Sequence, residues 1–175
     1  SAVVDSIAIP SVTHTAVAGV ISTTKTSNTT TYAPNGTIIY TLEISNDGDG
    51  FAESIPVIDN IGAIQTTLVG GGTGNAFVAG WTISASTDGT GTTSGSFANG
   101  ANLNTTVAIA PGGSVTYTIT GTVVSNAIGT ISNSATVNGI AVPPVNHTAI
   151  AGVVSATKTS NTTTYAPNGT IIYTL

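Results

Sequence analysis

In TIIYTLEIS (residues 37–45), Ile38, Tyr40, Leu42 and Ile44 fall on one side of an extended chain, and Thr41 and Glu43 fall on the other. GSVTYTITGTVV (113–124) repeats the alternation: Val115, Tyr117, Ile119 and Val123 face one way, Thr116, Thr118 and Thr120 the other. β-Branched and aromatic residues at period two mark strands with one buried and one wet face. Between such runs stand APNG, NDGDG, VGGGTGN, TDGTGTTSG and APGGS, all sequences that supply turns. No window carries a helical period. Roughly eight to ten short strands separated in this way predict an all-β chain, an antiparallel β-sandwich of immunoglobulin type.

Composition narrows the function. The charged fraction is 5 %, with 2 Lys and no Arg, a net charge of −5 and a pI near 4.3. An ordinary soluble domain carries roughly 25 % charged residues. Without basic patches neither nucleic acid nor an anionic membrane surface is an expected partner. No cysteine is present, which excludes disulfides, thiolate metal sites and cysteine nucleophiles. No apolar run reaches the ~18–20 residues of a membrane span. The opening SAVVDSIAIP lacks the basic start and the cleavage-site pattern of a signal peptide, so the sequence reads as a mature piece of something longer, and its charge-poor surface suits an extracellular protein. No glycine-flanked nucleophilic serine or phosphate-binding loop stands out, so no enzyme and no cofactor are expected.

Residues 12–42, VTHTAVAGVISTTKTSNTTTYAPNGTIIYTL, return as VNHTAIAGVVSATKTSNTTTYAPNGTIIYTL at 145–175. The offset is 133, and overlaying 1–42 on 134–175 gives 33 identities. A tandem array of 133-residue units follows, each the size of one domain. The expected division is a tail of a preceding unit (1–11), a complete unit (12–144) and the first strands of the next (145–175). The expected seam lies at Pro143 and Pro144, residues that resist both helix and central strand.

Both lysines, Lys25 and Lys158, occupy the same address in the repeat. Alternation places Lys25 in line with Val17, Gly19, Ile21 and Thr23, on the apolar side of its strand. The same reading puts Asp59 in the row Ile55, Val57, Ile61, and Asn133 in the row Ile131, Ala135, Val137. Buried unpaired charges are costly, so these three residues are expected together. A neutral lysine amine can attack an asparagine side-chain carbonyl and expel ammonia. A neighbouring protonated carboxyl polarises that carbonyl and carries the proton, and burial shifts both pKa values the required way. The expected product is a Lys25–Asn133 amide between the first and last strands, with Asp59 as acid–base group and Lys158 in the lysine role of the following unit. It encloses 108 residues (133 − 25). The alternatives are a partly exposed Lys25–Asp59 ion pair near strand ends with Asn133 merely hydrogen-bonded, Glu53 as the acid, or Asn138 as the amide, at whose address the preceding unit has Asp5.

TKTSNTTTYAPNGTIIYTLEISNDGDGFAESIPVIDNI and LNTTVAIAPGGSVTYTITGTVVSNAIGTISNSATVNG together resemble the surface-protein repeat family known as domain of unknown function eleven. PVIDNIG departs from its pattern in lacking a Leu-Pro after the aspartate. The resemblance implies an immunoglobulin-like sandwich arrayed on long prokaryotic surface proteins. Similar sandwich domains carry Lys–Asn isopeptide bonds, which map here onto Lys25, Asn133 and Asp59.

The remaining signals are weaker. Asp47 and Asp49 alternate like calcium ligands but lack the glutamate of such a loop, so a glycine-rich turn is expected. His14 and His147, near the connector, read as structural. Trp81 reads as a core plug. The Asn-x-Thr triplets at Asn28, Asn35, Asn104, Asn146, Asn161 and Asn168 permit glycosylation. The expected function is a structural module of an extracellular fibre, stalk or adhesin whose partners are neighbouring repeats. The rivals are an adhesin binding ligand through loops 70–76 and 87–100, and a fibre of separate subunits in which 1–11 or 145–175 pairs with a neighbouring chain.

Overall fold

A computed structural model describes Val3–Val4, Ile7–Ala8, residues 11–88 and residues 90–175; Asp5 lies outside the described residues. The strands are β1 (Val3–Val4), β2 (Ile7–Ala8), β3 (Ile21–Ser27), β4 (Thr31–Tyr32), β5 (Thr37–Asn46) and β6 (Ala52–Asp59). After a 3-10 turn (Ile61–Ala63) come β7 (Gln65–Thr67), β8 (Thr73–Asn75), β9 (Thr82–Thr87), β10 (Gly91–Thr93), β11 (Leu103–Ile109) and β12 (Ser114–Thr122). The series ends with β13 (Ile131–Val137), β14 (Ile140–Ala149), β15 (Thr159–Ser160) and β16 (Tyr173–Thr174). A four-stranded sheet in the order β3-β5-β12-β9 packs on a six-stranded sheet in the order β10-β11-β6-β13-β14-β4, forming an all-β, immunoglobulin-like sandwich. All pairings within it are antiparallel except the short β14–β4 contact, which is parallel.

The alternation in β5 and β12 has the predicted outcome. Ile38, Tyr40, Leu42, Ile44, Val115, Tyr117 and Ile119 are buried and meet Val57, Leu103, Val107, Ile109, Ile131 and Val137 from the other sheet. Each such side chain contributes about 1.5–3 kcal/mol by leaving water.

Two bulges break the alternation. Val107 pairs with Ile55 and Ile109 with Ala52, so Glu53 and Ser54 together oppose the single residue Ala108. Ser54 takes a positive φ of 55° to make this possible. The bulge reverses the facing of Glu53, which is exposed rather than on the core side.

The second bulge lies at the expected seam. Asn133 pairs with Val145 and Ala135 with Val142, leaving Pro143 and Pro144 bulged opposite Ser134, where no ladder N–H is needed. β14 therefore runs through the prolines, and Val145–Ala149, expected to open the following unit, complete this one. The sandwich closes at Ala149 instead of Pro144. By the same offset the preceding unit's share extends to Ala16 (149 − 133), past the expected limit at residue 11.

Both ends of the chain reproduce parts of the central unit. β1–β2 pairs Val3 with Ala8 and Val4 with Ile7, the register of Thr136–Ala141 and Val137–Ile140 in β13–β14. β15–β16 pairs Thr159 with Thr174 and Ser160 with Tyr173, the register of Thr26–Thr41 and Ser27–Tyr40 in β3–β5.

The incoming segment Val17–Val20 is held against the loop after β5. Asn46 is fully buried. Its Nδ2 donates to the carbonyls of Gly50 (2.8 Å) and Ile109 (2.9 Å), and its Oδ1 accepts from Val20 N (3.0 Å) and Gly48 N (3.2 Å). A Cβ on Gly50 would stand 1.9 Å from the Val17 carbonyl oxygen, so only glycine lets the two backbones cross there. The chain enters at this end and leaves at the other, because β3, β6 and β14 all run the same way.

Candidate functional site

β3 is an edge strand of the four-stranded sheet, with Ile21, Thr23, Lys25 and Ser27 turned inward. The Lys25 side chain is wholly buried and crosses to the opposite sheet. There β6 ends at Asp59 and β13 carries Asn133, both buried. β6 and β13 pair only through Ile58–Thr136 and Val57–Val137. Beyond that point they part, and the polar residues gather where they separate. A cleft of about 270 Å³ opens there, lined in part by Asn60, Gln65, Ser132 and Asn133.

The structure brings all three sequence-predicted residues together. Lys25 Nζ makes an ion-pair contact with Asp59 Oδ2, and Asn133 Nδ2 donates to the same oxygen at 3.3 Å. Turning the amide over exchanges Nδ2 for the similarly shaped Oδ1 and lets a protonated Asp59 donate to the carbonyl. Asp59 Oδ1 is buried with no hydrogen-bond partner, an arrangement that disfavours a carboxylate. Burial pushes the Lys25 amine below its ordinary value, against the opposing pull of Asp59. Burial also pushes the Asp59 carboxyl up, against Lys25 and Asn133. Both displacements lead toward the neutral pair.

A second layer surrounds the lysine, and sequence reasoning did not assign it there. The Tyr40 ring lies 5.4 Å from Lys25 Nζ. Its hydroxyl is 3.3 Å from Nδ1 of His147, and His147 Nε2 is 2.9 Å from Ser27 Oγ. His147 is fully buried, edge-on to Tyr40, and burial lowers its pKa. It is thus a core residue of this sandwich, whereas His14, at the same repeat address, is exposed. The alternation of Val145, His147 and Ala149 beyond the prolines was the available signal.

Other candidates fall elsewhere. Asn138 is exposed in the tight β13–β14 turn, with a positive φ of 51° followed by Gly139 at 76°. Asp47 and Asp49 are exposed on the loop that Asn46 organises, and no group of three or more His, Asp or Glu gathers among the described residues. Trp81 is half-buried at the rim, its Nε1 donating to Ala101 O at 2.7 Å, so it does not plug the core; Tyr40 and Tyr117 fill the centre. Within the sandwich β13 is the penultimate strand, not the last, so β14 lies outside any Lys25–Asn133 link. Among the described residues no helix is long and apolar enough to cross a membrane. No protein-family model matches the chain, and a search of curated proteins returns no match.

Proposed function

We propose that this chain is a structural module of a long extracellular fibre or stalk, closed by a self-formed amide between Lys25 and Asn133. The observation that carries the reading is the shared contact: one Asp59 oxygen meets both Lys25 Nζ and Asn133 Nδ2 between the sheets, with the Lys25 and Asp59 side chains wholly buried. In the neutral pair the Lys25 amine attacks Cγ of Asn133 while the Asp59 carboxyl donates to the amide oxygen. The Cγ–Nδ2 bond then breaks, Asp59 passes a proton to the departing nitrogen and recovers one from the lysine nitrogen. One amide and one ammonia result, and Asp59 ends as it began. The cleft beside Asn133 offers the ammonia a way out.

The fibre role is supported by the 133-residue repeat and by chain ends that leave the sandwich at opposite poles. The scarcity of Lys and Arg also leaves few sites for trypsin-like proteases. The resemblance to arrayed surface repeats agrees with it. Strand exchange between chains is less favoured, since Val145–Ala149 are already engaged with β13 and β4 of their own sandwich.

Intact mass tests the reading. The wild-type chain is expected to be short by one ammonia, as is Glu53→Gln, while Lys25→Met and Asp59→Asn retain full mass. A folded wild-type chain at full mass would refute the cross-link and leave a structural ion pair.

A further inference from the structure

We infer that Tyr40 is the positioning residue for Lys25, holding its amine on the inner face of the β3–β5 hairpin before the second sheet closes over it; this rests on the Lys25–Asn133 reading. Lys25 pairs with Leu42 and Ser27 with Tyr40, so the lysine and the ring are diagonal neighbours on one face. Such neighbours are within reach when one side chain is long and the other aromatic.

The second copy of the hairpin isolates this contact. β15–β16 has the same register, and Lys158 Nζ lies 4.4 Å over the Tyr173 ring. Residues 145–175 hold the lysine and the tyrosine of this address but no counterpart of Asp59 or Asn133, and the lysine lies on the ring there too. In the complete unit the distance is 5.4 Å and the amine has gained Asp59. There Tyr40 also packs edge-on to Phe77 (6.3 Å) and to His147 (5.2 Å), and its hydroxyl lies 3.3 Å from His147 Nδ1, while the face it offers Lys25 belongs to the ring alone.

The chemistry suits a temporary hold. A π face attracts an ammonium and has little attraction for a neutral amine. When β6 and β13 cover the hairpin, burial favours transfer of one lysine proton to the Asp59 carboxylate. This converts ammonium and carboxylate into amine and carboxyl. The amine is thereby freed from the ring at the moment it becomes nucleophilic. Tyr40 touches Lys25 rather than the scissile amide, so its role is to position.

Two measurements on the full chain test this. In NMR spectra the Lys158 ε-methylene protons are expected upfield from ring current, and Tyr173→Leu, which lies outside the sandwich, is expected to remove the shift. In parallel, ammonia loss is followed by intact mass during cell-free synthesis of Tyr40→Phe, Tyr40→Leu and Phe77→Leu. The expected result is wild-type rate for Tyr40→Phe and Phe77→Leu and a roughly threefold or greater slowing for Tyr40→Leu, the size a partly hydrated cation–π contact gives. Absence of the Lys158 shift overturns the inference even if Tyr40→Leu fails to fold. So does a Tyr40→Leu chain that reacts as fast as Phe77→Leu while the wild type cross-links. A wild-type chain that keeps its ammonia overturns the cross-link and this inference together.

Discussion

Pulling the sandwich apart by its ends gives a length that depends on whether Lys25 and Asn133 are joined. Between Val17 and Ala149 lie 132 backbone steps (149 − 17). A fully extended chain spans at most ~3.5 Å per step, so an unlinked unit stretches to about 460 Å. Its folded length is roughly that of the ten-residue strands β5 and β14, about 34 Å, so unfolding releases about 430 Å. With the link, the 108 steps from Lys25 to Asn133 bear no load, and only the 8 before Lys25 and the 16 after Asn133 extend. That leaves about 84 Å of chain, or a release near 50 Å. Optical-tweezers extension of the full chain between terminal handles is expected to show the short step for wild type and the long step for Lys25→Met. A long step from a mass-verified cross-linked chain would refute the topology, because the link would then not carry the force past the sandwich.

Two further outcomes follow from buried polar groups. Asn46→Ala strands the Gly50 and Ile109 carbonyls and the Val20 and Gly48 amides, and is expected to cost about 2–4 kcal/mol in urea unfolding; a loss under about 0.5 kcal/mol would remove Asn46 from the role assigned to it. His147 is held below its ordinary pKa by burial, with Tyr40 the titratable side chain in contact with it. The unfolded chain therefore takes up the proton first. The stabilising contribution is present above about pH 6.5 and is lost as pH falls through the lower folded value. Hydrogen exchange, corrected for intrinsic rate, is expected to quicken in β14 on going from about pH 7 to about pH 5, and His147→Gln is expected to abolish that dependence.

Much of the sandwich was legible because its strands obey a period-two pattern that a single sequence displays. The same parity turned Lys25, Asp59 and Asn133 inward, and a buried charge requires company. What parity does not register is an inserted residue. Ser54 adopts a left-handed backbone, and every inference carried from Ile55 back to Glu53 reverses at that point. Pro143 and Pro144 read as an interruption because their missing N–H groups are visible in sequence, whereas the bulge that excuses them depends on Asn133 and Ala135 across the ladder. That misplaced the unit's end and hid His147, whose partners Tyr40 and Ser27 lie 107 and 120 residues away. Parity also says nothing about which sheet a strand joins, so the crossing of Lys25 between layers emerges only in three dimensions.

The grip on Val17–Val20 has a directional result. The segment belongs to the connection from whatever precedes the sandwich, yet the groups that fix it, Asn46, Gly48 and Gly50, arrive later in the chain. Where the unit recurs, each joint is set by the newer neighbour, so a chain emerging from its ribosome stiffens one domain behind its growing end. In an array whose every unit carried this loop, replacing Gly50 in each copy would alter all the joints together and change the curvature of the proposed fibre while leaving each sandwich's core untouched.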